Sequence, residues 1–117
     1  MIWWQELKRR FVFAFNGLAL LAKDKNIRLH LFLGLLTILA GCLLKLYNYE
    51  WVLVWILIGG VLALESFNCA LEKLADRVST KPDPLIKAAK DMAAGAVLIF
   101  CIIAMGIFVF MAVQHMF

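Results

Sequence analysis

Charge is scarce in this sequence: 17% of its residues are Asp, Glu, Lys or Arg, against about 25% in ordinary water-soluble domains. Set beside 65% hydrophobic residues, that shortage excludes a conventional soluble domain and indicates an integral membrane protein. Long polar stretches are missing too, which leaves no material for a second domain with its own core. Cysteine is limited to Cys42, Cys69 and Cys101, all within or beside apolar runs. Without CxxC or Cys/His spacing, neither a disulfide framework nor a zinc site is indicated, and the three are read as packing residues. Proline occurs only at 82 and 84. The opening MIWWQELKRR lacks a small-residue cleavage site behind an apolar core, so it is expected to stay on the mature chain.

What is abundant is apolar run. MAAGAVLIFCIIAMGIFVFMAV, within a span placed at about 90–114, carries no charge and can cross a hydrocarbon core of about 30 Å at 1.5 Å per residue. Two more spans fall at about 28–46 and 51–74, joined by YNYEW, whose Tyr47, Tyr49 and Trp51 suit the aromatic belt of a membrane surface. With a cytoplasmic N-terminus, every Lys and Arg except Lys45 lies on the cytoplasmic side, which sets the orientation. A loop at about 77–87 then joins the second and third spans, with Pro82 and Pro84 ending one helix and DPLIKAAKD leading into the next. Before the first span, Trp4, Leu7, Phe11, Ala14, Leu18 and Leu21 recur at spacings of three and four. They predict an amphipathic helix over about 3–24 that lies on the membrane surface. The expected architecture is an all-α membrane protein, one domain with a surface helix and three transmembrane helices.

The second span ends in ESFNCALEKLAD. Glu65, Asn68, Glu72 and Asp76 fall within an arc of roughly 80° on an α-helix, forming one polar stripe. Counted from Trp51, Glu65 lies about 21 Å down the helix and Glu72 about 31 Å, so Glu65 is inside the hydrocarbon and Glu72 at its cytoplasmic boundary. Glu72, Asp76 and Lys73 have the alternative reading of ordinary solvated residues past the helix exit, which for Asp76 alone stands on equal terms. An ionisable group at the depth of Glu65 needs a protein partner or a water-filled cleft and marks a functional site, unless it bonds a neighbouring helix in protonated form. Lys90 and Asp91, with Lys87 one turn earlier, open the third span. Alone they are a boundary feature, but the short loop brings them towards Glu72, and Asp24 lies where the surface helix turns into the first span.

Glu65, Glu72, Asp24, Lys90 and Asn68 are thus able to line one interfacial site. Two or three carboxylates there suit magnesium completed by substrate phosphates, a lysine suits phosphate oxygens, and a desolvated carboxylate suits proton abstraction from a hydroxyl. Together these are the parts of phosphoryl transfer from a cytosolic nucleotide to a lipid alcohol. Neither GxxxxGK[ST] nor GxGxxG occurs, which excludes a P-loop or Rossmann-type nucleotide site. Two other classes compete. A proton-coupled transporter would use Glu65 for protons and a cationic substrate, and a non-catalytic assembly protein would use the stripe to hold helices together.

The motif E-x-x-N-x-A-x-E-x-x-x-D over Glu65 to Asp76, followed by AKDMAAGAV over Ala89 to Val97, resembles the prokaryotic diacylglycerol kinase and undecaprenol kinase family. AFNGL at 14–18 and NIRLH at 26–30, with His30, support the resemblance in the right order. It implies an ATP- and magnesium-dependent lipid kinase of the bacterial inner membrane, a homotrimer with sites shared between subunits. By motif, Glu65 would be the general base, and Glu72 a ligand of metal and ATP with Asn68 beside it. Asp24, where the family usually carries glutamate, would be a second ligand of metal and ATP. Lys90, Asp91 and Asp76 would contact ATP. The NIRLH form, Glu50-Trp51 and AAGAV lean towards the undecaprenol kinase branch. No nucleic-acid partner is expected.

Overall fold

The computed structural model describes residues 2–117, and these form four helices joined by short connections. Helix α1 is Ile2–Leu21, α2 is Lys25–Leu44, α3 is Asn48–Val78 and α4 is Pro84–Met116. Three of them, α2, α3 and α4, are long and apolar enough to cross a membrane. None of the residues of α1 is buried, and it carries exposed Trp3, Trp4, Phe11 and Phe15 beside its basic cluster. The expected all-α architecture of one outlying helix and three spans is what the chain adopts.

The helix boundaries follow from local chemistry. Asp24 caps α2, its Oδ1 accepting the backbone N–H groups of Asn26 at 2.9 Å and Ile27 at 3.1 Å. Helix α2 ends where Lys45 takes left-handed backbone angles, φ 58°, so that the Leu46 N–H reaches back to the Gly41 carbonyl. At the start of α3, the Glu50 carboxylate returns to the Tyr47 N–H at 2.9 Å. Asp83 caps α4 through the N–H groups of Leu85 and Ile86. Pro84 falls in the first turn of α4, where its missing N–H costs nothing, so this proline starts a helix as well as ending the loop.

The spans pack chiefly as α3 on α4, with α2 against α3. Small residues allow the close approaches. A Cβ at Gly41 would meet the Trp51 ring at 2.9 Å, and one at Gly60 would collide with the Phe100 ring. Val54, Leu46 and Met111 form the buried apolar cluster at the end where α2 hands over to α3 and α4 finishes. At the same end His115 Nε2 of α4 lies 2.6 Å from Glu50 Oε1 of α3, both side chains largely buried, with the Tyr47 ring 5.0 Å from the imidazole. The opposite end of α3 and the start of α4 carry the polar stripe.

Candidate functional site at the polar end of the spans

Most polar side chains within the spans satisfy themselves locally. Thr37 donates to the Leu33 carbonyl and Ser66 to the Leu62 carbonyl, each one turn back on its own helix. Glu65 and Asn68 differ. Glu65 is 5% exposed, and its close side-chain neighbour is His30 of α2, Nε2 to Oε2 3.5 Å. That separation is too long for a tight hydrogen bond and leaves the carboxylate with acceptor capacity. Asn68, 7% exposed, donates through Nδ2 to Glu72 Oε1 at 3.4 Å, while its Oδ1 is buried with no partner. An orphaned amide oxygen in an apolar setting costs free energy unless something binds it.

A cavity of about 380 Å³ opens between α2, α3 and α4, and His30 links it to Glu65. His30 lines it, and the rest of its wall is almost wholly apolar, with Leu36, Ile58, Val61, Met105 and Phe108 among the residues. A single cavity therefore offers an apolar trough with an imidazole on its rim, within reach of a buried carboxylate. Such a shape suits an amphipathic molecule with one polar end.

The remaining predicted residues fall into separate pairs. Lys90 Nζ of α4 meets Asp76 Oδ1 of α3 at 2.7 Å, and Lys90 also lies in electrostatic range of Glu72. Asp91 is tied to Lys87 one turn earlier on α4, 2.7 Å away and largely exposed, so its side chain is not joined to the stripe within this chain. Asp24 Oδ2 accepts the thiol of Cys69 at 3.2 Å, bringing the start of α2 against α3. That contact and the two backbone N–H groups on Oδ1 hold the Asp24 carboxyl below its ordinary pKa, the thiol being the largest cause. Cys69 is thus more than the packing residue its surroundings in the sequence suggest; its partner is 45 residues away, beyond the reach of any local pattern. His30 likewise gains its meaning only from Glu65 across the helix interface.

Among the described residues, no three Asp, Glu, His or Cys side chains gather closely enough to hold a metal ion by themselves. The oxygen donors at this end are the carboxylates of Glu72 and Asp24 and the orphaned Asn68 Oδ1, with the Cys69 thiol engaged as a donor to Asp24. This sparse set fits magnesium, which is commonly held by one or two carboxylates and completed by phosphate oxygens and water.

Comparison with known proteins bears on the same residues. The sequence profile of the family Prokaryotic diacylglycerol kinase matches residues 12–112, which include every residue of the stripe. The undecaprenol kinase of Bacillus subtilis is 37% identical over 106 residues, covering 88% of this chain and 86% of that protein. The diacylglycerol kinase of Synechocystis sp. is 38% identical over 96 residues, covering 80% of this chain and 55% of that longer protein.

Proposed function

This chain belongs to the prokaryotic diacylglycerol kinase family and is a lipid kinase, and from that premise we propose that it phosphorylates undecaprenol with Glu65 as the base. The observation that carries the role of Glu65 is its burial beside His30 at the rim of the apolar cavity. ATP is the phosphate donor that a kinase implies. Undecaprenol is favoured over diacylglycerol because the undecaprenol kinase relative aligns over nearly its whole length. The chain is a multi-pass membrane protein of a bacterial family, read here as lying in the inner membrane with its N-terminus in the cytoplasm.

In this reading the prenyl chain lies along the cavity and presents its hydroxyl to Glu65. The carboxylate takes the hydroxyl proton as the oxygen bonds to the γ-phosphorus, the bond to the β,γ-bridging oxygen breaks, and ADP leaves with that electron pair. His30 orients Glu65 from α2. Lys90 offers its ammonium to phosphate oxygens, and Asp76, which it meets in this structure, and Asp91 contact the nucleotide. Magnesium held by Glu72 and Asp24, with Asn68 beside them, would neutralise phosphate charge. The apolar surroundings of Glu65 keep water away from the transferring group. Three copies would form a trimer with sites shared between neighbours.

The test is phosphate transfer from ATP to undecaprenol and to diacylglycerol by the protein purified in mild detergent. Glu65→Gln is expected to lower kcat by about 10²-fold or more, the usual worth of a positioned base. Activity unchanged in that variant would remove Glu65 from the reaction. Faster turnover of diacylglycerol than of undecaprenol would reverse the acceptor assignment. Filling the trough by Ala104→Phe should raise KM for the long prenyl alcohol while ATP binding stays as it was.

A further inference from the structure

Asp24 is bound differently at its two oxygens. Oδ1 receives two backbone N–H groups from the first turn of α2, which anchors the carboxyl to its own helix. Oδ2 receives the thiol of Cys69. The two N–H groups on Oδ1 already orient the carboxylate plane relative to α2. The thiol adds a bond across the helix interface and ties that oriented plane to α3 through Oδ2. Cys69 itself is buried, 7% exposed.

The surroundings of Cys69 give this contact a use. It follows Asn68, whose Oδ1 is buried and unpartnered, and it lies in electrostatic range of Glu72 as well as of Asp24. The thiol thus joins Asp24 to the turn of α3 that precedes Glu72, three residues on, and neighbours in sequence an amide oxygen that lacks a partner. We propose that Cys69 is a positioning residue, whose thiol holds the Asp24 carboxylate against α3 so that Asp24 and Glu72 face one divalent cation together. The proposal rests on the kinase reading only in taking that cation to be the one bound with nucleotide.

Groups that orient a metal ligand commonly change metal affinity by 10- to 100-fold when removed. The experiment measures Mn²⁺ binding by electron paramagnetic resonance in the presence of a non-hydrolysable ATP analogue, for the intact protein and for C69S, C69A and C69V. Serine keeps a donor, alanine removes it, and valine removes it while filling the space. C69A and C69V are expected to bind Mn²⁺ about tenfold more weakly and C69S nearly as well as the original. The Mg²⁺ concentration for half-maximal lipid phosphorylation should rise by the same factor, with kcat at saturating Mg²⁺ largely kept. Adding C69A to D24A should weaken Mn²⁺ binding no further, because the thiol acts through that carboxylate.

Mn²⁺ affinity unchanged in both C69A and C69V would overturn the proposal, as would effects of C69A and D24A that multiply in the double variant. If thermal unfolding shows that C69A is misfolded, the comparison of C69V with C69S decides. A protein that binds Mn²⁺ in this Cys69-dependent way yet phosphorylates no lipid alcohol would defeat the acceptor reading and leave the role of Cys69 standing.

Discussion

Asp24 shows how much one side chain can carry at a helix start: it caps α2, ties α2 to α3 through Cys69, and is a candidate ligand of magnesium. The sign of its pH dependence follows from the bonds it accepts. The Cys69 thiol and the N–H groups of Ile27 and Asn26 favour the ionised form, so the folded pKa lies below the ordinary value near 4. Its stabilising contribution is therefore complete above that ordinary value and is lost only as pH falls through the depressed one. Asp24→Ala should lower the thermal midpoint in detergent at pH 7, and the gap to the original protein should persist to about pH 4 and close in stronger acid. A gap that stays constant, or widens, on acidification would contradict this account. The stripe of Glu65, Asn68, Glu72 and Asp76 was legible in the sequence because all four sit on one helix, where spacing alone decides which side chains share a face. The contacts of Asp24 with Cys69 and of His30 with Glu65 were not, because each crosses between helices whose relative rotation no local pattern encodes.

At the scale of elements, the α3–α4 seam is fastened at one end by Glu50 and His115 and at the other by Asp76 and Lys90. Between them the close approach depends on Gly60, beneath the Phe100 ring. Without a hydrophobic drive between helices in lipid, such close packing is a main source of association. Gly60→Ala should destabilise the bundle by about 1–3 kcal/mol, because the added methyl group forces an aromatic ring to move. Phe100→Leu in the same chain should recover part of that loss, and thermal unfolding of the two single variants and the double variant measures the coupling. Additive losses would show that the seam is not limited by this contact. Hydropathy was enough to find the three spans. The fastening at Glu50 was invisible to it, since a glutamate beside an aromatic belt and a histidine near the chain's end look like two unrelated interfacial residues until α3 and α4 lie side by side.

As a whole the chain is a slab of 52 × 46 × 21 Å, its thinnest dimension about two helix diameters. Three spans arranged in that way leave Leu35, Ile56, Phe67 and Ile102 exposed for lipid or for other copies of the chain. They also leave the predicted site divided. Glu65, Asn68 and Glu72 lie together on α3, while Asp91 is turned along α4 towards Lys87. A homotrimer with shared sites, read from family resemblance, would resolve that division by bringing Asp91 of one copy to the stripe of another. The consequence can be measured by mixing. Glu65→Gln and Asp91→Asn are each expected to abolish most lipid phosphorylation. When the two variants are unfolded, combined and refolded together, some sites would join an intact Glu65 from one copy with an intact Asp91 from its neighbour, and activity should return. The same variants refolded apart and then mixed should stay inactive, which separates subunit exchange within the trimer from simple addition. If co-refolded mixtures recover nothing while their oligomeric state matches that of the original protein, both residues must serve the same site from the same chain. The pairing of Asp91 with Lys87 along α4 would then have to open when nucleotide binds.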